Sequence, residues 1–283
     1  MQQKKVRCKI VDIYVLAENT SVSDEYDNEH GLSIYIEVKG QRLLFDMGAS
    51  SLFAENAKKL GLDLSLVDAA IVSHGHYDHG GGLGTFLQLN KEAKIYINKK
   101  AFEGHFARRE EGEAYIGLDK KFAENERIIL TGDHYVIDDG IILISGVKDQ
   151  KLNPSGNKEL LMQKHGEYVC DDFSHEQSLL VQDEGNTALF AGCSHKGIVN
   201  ILEHIRHKGY PSPTHVIGGF HMYSRSGGRY EDISTLEKTG AYLRNTGSSY
   251  YTCHCTGINA YKRLKEIIGE RVEYLATGSR LKI

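Results

Sequence analysis

The sequence predicts an α/β fold whose functional site lies at the carboxyl ends of its strands. Short apolar runs typical of strands alternate along the chain with segments of helical periodicity, such as the one over residues 198–205. Several of the strands end in small residues and a side chain that can bind a metal. The clearest example is residues 73–82, SHGHYDHGGG, which follow an apolar run at 69–72. Open α/β sheets place their sites at such strand ends.

The individual elements follow from apolar periodicity and from turn residues. Residues 32–38 alternate like a half-buried strand and turn into a second arm at 43–45. A serine cap and Gly61 delimit a helix over about residues 50–60. Further hairpins are predicted at 135–145 and 177–191. The remaining elements are helices at 83–89, 198–205, 233–243 and 261–268, and strands at 9–16, 93–97, 215–217, 250–252 and 272–276.

Residues 99–170 differ in character from the rest of the chain. Charged residues crowd together at 108–113 and at 120–121, and residues 148–164 are polar. We expect a surface insertion at about 99–170 that covers the site. The alternative is a solvated decoration without a role.

Composition excludes several functional classes. The chain has 283 residues, of which 40% are hydrophobic and 25% charged, so it can bury a substantial core. Its net charge of −4 argues against a dedicated nucleic-acid surface. No apolar run approaches the roughly 20 residues of a membrane span, and residues 1–19 do not resemble a signal peptide.

The cysteines indicate a reducing compartment. There are five, at Cys8, Cys170, Cys193, Cys253 and Cys255. An odd number in a chain of this size favours reduced thiols over a disulfide framework. We therefore expect a cytoplasmic protein.

The histidine-rich stretch has the character of a metal site. His74, His76, Asp78 and His79 lie within six positions. The spacing of two between the first histidines excludes one face of a helix and favours a loop. Imidazole and carboxylate ligands suit zinc, iron or manganese. A surface loop that is rich in histidine by chance would rarely also have the preceding strand and the following glycines.

Other strands end in the same way. The residues in question are Asp46 after 43–45, Cys193 and His195 after 188–191, His221 after 216–217, and His254 after 250–252. If these strands lie side by side, their ends converge on one site. Any one of these histidines alone is more often an ordinary histidine than a ligand.

These motifs resemble those of the metallo-β-lactamase superfamily of metal-dependent hydrolases. Its central motif matches His-x-His-x-Asp-His at 74–79, and its first matches Asp46. The stretches 192–200, 218–221 and 254–257 are similar to a subgroup that includes the 7,8-dihydropterin-6-methyl-4-(ribofuranosyl)aminobenzene 5′-phosphate synthases. The resemblance implies one domain over residues 1–283, built as a four-layer αβ/βα sandwich of two mixed β-sheets.

The resemblance also implies two divalent metal ions, with Zn²⁺ favoured and Mn²⁺ or Fe²⁺ as alternatives. The first ion would be bound by His74, His76 and a third histidine, for which His195 is preferred and His175 competes. The second would be bound by Asp78, His79 and His254, with Asp46 orienting the ligands. Cys193 stands where the superfamily has a bridging carboxylate. It is either a soft ligand or a small residue that fits.

The remaining site residues are assigned to catalysis or substrate contact. Asp78 would take a proton, and His221 would hold the substrate or stabilise negative charge, with a role as ligand as its alternative. Lys196 and Tyr223 are further candidates for substrate contact. Cys253 and Cys255 are expected to be buried on the side of a strand opposite to His254.

Three functions are compatible with this site. The first is a hydrolase that uses a metal-bound hydroxide on a small phosphoester or ester. The second, implied by the subgroup, is a pterin-pathway synthase that condenses a pterin pyrophosphate with an aminobenzene ribotide phosphate. The third is a metal-binding sensor without catalysis. The expected partners are a phosphorylated small molecule and a second copy of the chain in a homodimer, but neither nucleic acid nor membrane.

Overall fold

Two seven-stranded mixed β-sheets form the centre of the protein in the computed structural model, which describes residues 11–183 and 185–283. In spatial order, the first sheet contains β20 (Arg280–Lys282), β1 (Asp12–Ala17), β2 (Ser33–Val38), β3 (Gln41–Phe45), β4 (Ala69–Val72), β5 (Lys94–Asn98) and β8 (Ile128–Thr131). The second contains β19 (Val272–Tyr274), β18 (Ser249–Thr252), β15 (His215–Gly218), β14 (Asn186–Ala191), β13 (Gln177–Asp183), β10 (Ile141–Ser145) and β9 (His134–Asp138). Cys8 and the first two residues of the predicted strand at 9–16 lie outside the described residues.

Each sheet has a parallel and an antiparallel half. In the first, β3, β4, β5 and β8 are parallel, while β1 pairs antiparallel with β2 and β20. In the second, β14, β15, β18 and β19 are parallel, and the hairpins β9–β10 and β13–β14 are antiparallel. Neighbouring parallel strands end at the same edge of a sheet. The ends of β3 and β4, and those of β14, β15 and β18, therefore lie together.

Helices cover the outer faces of both sheets. Ile34, Phe45, Leu179 and Phe190 are among the buried side chains that fill the space between the sheets. The first sheet carries α1 (Leu52–Lys59), the short α2 (Tyr77–Gly80) and α3 (Leu83–Leu89), and the second carries α4 (Ile198–His207), α5 (Ile233–Thr246) and α6 (Ile258–Ile268). This arrangement confirms the predicted four-layer αβ/βα sandwich. None of the described helices is long and apolar enough to cross a membrane.

Two smaller β-structures lie beside the edge where the parallel strands end. A four-stranded sheet, which we call the cap, consists of β12 (Glu167–Cys170), β11 (Leu160–Lys164), β6 (His105–Arg109) and β7 (Gly112–Tyr115). A two-stranded ribbon consists of β16 (Tyr223–Ser224) and β17 (Arg229–Tyr230). The cap is tied to the histidine-rich loop by a hydrogen bond from the Tyr77 N–H to the carbonyl of Ile116, at 2.8 Å.

Residues 99–170 do not form one continuous surface insertion, in contrast to the prediction. Residues 128–145 form β8, β9 and β10, which belong to the two large sheets. All five residues of β10 are buried. Ile141 and Leu143 face the core between the sheets, and Ile142 and Ile144 pack in the cluster beneath the helices of the second sheet. Only the segments on either side of 128–145 build the cap. Residues 148–164 include a 3-10 turn at Ser155–Glu159 and all of β11.

Candidate metal centre

The loops after five parallel strands meet at one edge between the two large sheets. Four residues other than glycine in these loops have positive φ angles, namely Asp46 (61°), Ser194 (58°), His221 (48°) and His254 (50°). A left-handed backbone at a residue other than glycine costs of order 1–3 kcal/mol. Sharp turns at these positions bring the side chains of separate strands to the same place. Strain of this kind concentrates at functional sites.

A first group of donor atoms is formed by His74, His76, Cys193 and His195. The Nε2 atom of His74 lies 3.0 Å from Nδ1 of His76. One donor atom each of His74, Cys193 and His195 lie within 4.8 Å of one another. The Nδ1 atom of His195 is 3.1 Å from Oδ1 of Asn157, which fixes the proton on Nδ1. Its Nε2 atom is buried, without a hydrogen-bond partner among the described residues.

A second group is formed by Asp78, His79, Cys193 and His254. The Nε2 atom of His79 lies 3.3 Å from Nε2 of His254 and 3.1 Å from Sγ of Cys193. Oδ2 of Asp78 is 3.5 Å from Nε2 of His254 and 3.9 Å from Nε2 of His79. Donor atoms from the loops of both large sheets therefore lie around one point.

The opposite nitrogens of the two histidines in this second group are held by acceptors. The Nδ1–H of His79 donates to Oδ2 of Asp46 at 2.7 Å, and the Nδ1–H of His254 donates to Oδ1 of Asn19 at 2.9 Å. When both rings are neutral, the two Nε2 atoms then face each other with their lone pairs. Hydrogen-bond acceptors that fix the tautomer in this way are typical partners of histidines that bind metals. Asp46 thus lies where a residue that orients ligands is needed.

The protonation of these residues suits a cation. Burial lowers the pKa values of His74, His76 and His195 well below their usual value, which leaves the neutral imidazoles that metals require. Burial raises the pKa of Asp78, but the charge of His79 and the hydrogen bonds of His254 and His30 outweigh it and hold that pKa well below its usual range. A buried carboxylate, a thiol and neutral imidazoles form a donor set that fits divalent metal ions.

His79 has the opposite tendency. Burial lowers its pKa, but the carboxylates of Asp46 and Asp78 outweigh this effect and raise the pKa to about 9. The same negative charges that retain a proton on His79 would attract a metal cation in its place. Burial also raises the pKa of the Cys193 thiol, so a metal would have to displace that proton as well.

His175 is placed differently from His195. Its Nδ1 accepts the N–H of Gly75 at 2.9 Å, and its Nε2 lies 3.3 Å from Oδ2 of Asp171. Since Nδ1 accepts, Nε2 carries the proton and donates it to Asp171. Neither nitrogen has a lone pair free for a metal. The side chain instead supports the backbone between His74 and His76.

The other predicted residues divide between the cavity and its surroundings. His221 and Tyr223 line the cavity above the donor groups, and both ring nitrogens of His221 are buried without a partner among the described residues. Lys196 does not line this cavity; its Nζ donates to the carbonyl of Asp172 at 3.3 Å in a neighbouring groove. His30 reaches the cavity, with its Nε2 at 3.1 Å from Oδ2 of Asp78.

The two cysteines that flank His254 have different surroundings. Cys253 is buried in the core between the sheets, as expected. The expectation that Cys255 lies on the same side is wrong, because the strand ends at Thr252 and residues His254–Thr256 form a 3-10 turn. This turn brings Cys255 to the cavity, within 4.8 Å of donor atoms of Cys193 and His221.

Two glutamates that the sequence motifs did not single out hold the ligand loops from outside. Glu176 accepts the N–H of His195 at 2.6 Å and that of Lys196 at 2.9 Å. Glu18 accepts the N–H of His254 at 2.5 Å. Glu18 and Asn19 follow β1, and Glu176 precedes β13, so each lies at the end of a strand at the same edge. That position is the signal that could have revealed them.

Comparison with known proteins agrees with this geometry. A family model described as the metallo-beta-lactamase superfamily matches residues 26–228. The chain belongs to the metallo-β-lactamase superfamily. Its two donor groups lie at the edge between the two large sheets, and proteins of this fold bind divalent metals.

Similar proteins within the superfamily cover almost the whole chain. A 7,8-dihydropterin-6-methyl-4-(β-D-ribofuranosyl)-aminobenzene-5′-phosphate synthase of Methanocaldococcus jannaschii is 31% identical, over 96% of this chain and 96% of its own. The crystal structure of Tm1679, a metal-dependent hydrolase of the β-lactamase superfamily, is 29% identical with a TM-score of 0.81, covering 96% of this chain and 99% of its own. YhfI of Bacillus subtilis shares the fold at 12% identity, with a TM-score of 0.59 and coverage of 97% and 100%.

Proposed function

We propose that this protein is a metal-dependent hydrolase that acts on a small phosphoester or ester and binds two divalent ions, with zinc favoured. The first ion would be held by His74, His76 and His195. The second would be held by Asp78, His79, Cys193 and His254. Members of the superfamily are mostly metal-dependent hydrolases, and the described residues of this chain include groups of donors that could hold a metal ion.

One observation carries this proposal. Nε2 of His79 and Nε2 of His254 lie 3.3 Å apart, while the Nδ1 atoms of both rings are engaged by Asp46 and Asn19. Two imidazole lone pairs that point at each other in a buried space repel, unless a proton or a cation lies between them. The nearby Asp78 and Cys193 favour a cation with more than one ligand.

The protein side chains would divide the work as follows. Divalent ions at this position would activate a water molecule and polarise an oxygen of the substrate. Asp78, whose carboxylate is ionised and faces the cavity, would accept a proton during attack. His221 has two unpartnered ring nitrogens and would donate a hydrogen bond to the oxygen on which negative charge develops.

Substitution of a proposed ligand tests this function. The His76→Ala variant should lose one bound ion per chain or more and lower hydrolysis of a chromogenic phosphodiester to background, because the first ion would lose one of its three histidines. Metal content is measured by elemental analysis and activity by absorbance. The matched control is His207→Ala, since His207 is exposed at the end of α4. A His76→Ala variant with normal metal content and full activity would reject the proposal.

A synthase is the second candidate, because the relative that is 31% identical carries that name. In this case the same metal centre would promote condensation of a pterin pyrophosphate with an aminobenzene ribotide phosphate. Formation of the joined product from these two substrates, without phosphodiester cleavage in their absence, would decide for the synthase. If the metal-loaded protein turns over neither these substrates nor a broad panel of esters, a non-catalytic metal sensor is favoured.

A cytoplasmic location belongs to the same proposal. Cys170, Cys193, Cys253 and Cys255 are all free thiols. A reducing compartment would keep Cys193 available to a metal. Fractionation of cells with an antibody against the protein would test the location.

A further inference from the structure

Two different parts of the chain form the walls of the cavity above the proposed metal centre. One wall is formed by Ala107 and Leu160 of the cap and by Ile116, which follows β7. The other is formed by Tyr223 of the ribbon and by Ser226 in its turn. The cavity measures about 70 Å³, which holds a few water molecules. A substrate could therefore place only its reacting group near the metals. Its remaining part would lie at the mouth, between the cap and the ribbon.

Each wall contributes one arginine to this mouth. Arg109 ends β6 of the cap, and Arg225 lies in the turn of the ribbon. Both side chains are exposed, and neither forms an ion pair with any of the described residues. Asp78 is the one carboxylate among the described residues that line the cavity, and the proposed metals would neutralise it. The mouth thus has two uncompensated positive charges in a chain whose net charge is −4.

Two neighbouring arginines differ from Arg109 and Arg225 in their surroundings. Arg229, in the same ribbon as Arg225, is paired with Glu159 at 2.7 Å. Arg108 precedes Arg109 on β6, and since alternate residues of a strand point to opposite faces, it does not line the cavity. Ala107 and Arg109 share the face toward the cavity. The two arginines at the mouth are therefore the ones that are free to bind a ligand.

We propose that Arg109 and Arg225 form a subsite for a phosphate monoester group of the substrate, remote from the bond that reacts. A phosphate monoester has three oxygens and a charge of about −1.5 to −2 at pH 7, which suits two guanidinium groups that approach from opposite walls. Guanidinium binds phosphate through two parallel hydrogen bonds. The hydroxyl of Ser226 lies beside Arg225 and offers a further donor. This subsite deepens the proposed function and rests on it for the position of the reacting group.

Equilibrium binding tests the subsite without requiring turnover. The metal-loaded protein is titrated by calorimetry with phenylphosphonate, a dianion that cannot be hydrolysed, with benzoate and with benzyl alcohol. We expect phenylphosphonate to bind most tightly. Arg109→Gln and Arg225→Gln should each weaken its binding about tenfold, because each removes charge-assisted hydrogen bonds. Arg108→Gln and Arg229→Gln are the matched controls and should bind as the wild type does.

The outcomes separate this subsite from the proposed function. Wild-type affinity for phenylphosphonate in both variants at the mouth overturns the subsite, even if the protein hydrolyses esters. Tighter binding of benzoate than of phenylphosphonate also overturns it, in favour of a carboxylate. Loss of affinity in the two variants with normal metal content supports the subsite, even if no hydrolysis is detected and the proposed reaction fails.

Discussion

Cys193 is the residue that connects the two halves of the proposed metal centre. Its Sγ belongs to the donor group of His74 and His195 and also to that of His79 and His254. A thiolate can take the place of a carboxylate as a ligand, since zinc binds both. The position after β14 therefore supplies a donor that is softer than aspartate.

Removal of this sulfur should affect the second ion most. In Cys193→Ala, His79 and His254 would retain only Asp78 as a further ligand. We therefore expect binding of the second zinc to weaken by about 10–100-fold or more, since loss of a residue that merely supports a ligand already has an effect of this size. Competition with a chromophoric chelator measures the affinity. The matched control is Cys253→Ala, the same substitution at a buried thiol of the core. Two tightly bound ions in Cys193→Ala would contradict this role.

At the scale of elements, a buried group joins the cap to the histidine-rich loop. His105 of β6 donates from Nδ1 to Oδ2 of Asp171 at 2.8 Å, and His175 donates to the same oxygen at 3.3 Å. His175 in turn accepts the N–H of Gly75. A Cβ at Gly75 would lie 2.9 Å from the His105 ring, so glycine is required for this approach. The cap and the ligand loop therefore hold each other in place.

Asp171 should stabilise the fold in a pH-dependent way. Burial raises its pKa, but the hydrogen bonds of His105 and His175 outweigh this effect and hold the pKa far below its usual range. A carboxylate whose pKa is lowered by folding stabilises the folded state above its unfolded pKa of about 3.9. This contribution is lost as the pH falls through the folded value.

The variant Asp171→Asn should accordingly lower the free energy of unfolding by about 1–3 kcal/mol at pH 7, because two buried N–H groups lose a charged acceptor. The difference from wild type should be constant between pH 7 and 5 and shrink below about pH 4. Urea unfolding at each pH measures it, with exposed Asp24→Asn as the control. A difference that grows on acidification would contradict the assignment.

At the scale of the whole molecule, the proposed ions would connect the two sheets. His74, His76, Asp78 and His79 follow β4 of the first sheet, whereas Cys193, His195 and His254 follow strands of the second. Ions bound between them would favour the folded state, in which both sets of ligands lie together. Metal binding should therefore stabilise the fold as a unit.

Removal of metal should lower the melting temperature of the entire protein. At a free zinc concentration a thousandfold above the dissociation constant, bound metal contributes about 4 kcal/mol. Calorimetry of the chelated and the zinc-restored protein measures the shift, with elemental analysis of both samples. The shift should be much smaller in His76→Ala. Equal melting temperatures with and without two bound ions would show that the metals do not link the sheets.

The sequence by itself determined the local features of this protein. Apolar alternation and turn residues marked the hairpins β2–β3, β9–β10 and β13–β14, and α3 was predicted with its observed bounds, Leu83–Leu89. The spacing of His74, His76, Asp78 and His79 indicated a metal site, since these donors are close in the chain. The superfamily and its four-layer sandwich followed from these motifs, and the comparisons confirm them.

The tertiary structure alone decided which distant residues take part. His175 and His195 both lie near β-strands in the sequence, but only the hydrogen bonds of His175 to Gly75 and Asp171 show that its nitrogens are engaged. The 3-10 turn that brings Cys255 to the cavity, and the pairing of β8 to β10 with the large sheets, also depend on contacts between segments far apart in the chain. Periodicity reports which face of an element is buried, not which partner buries it.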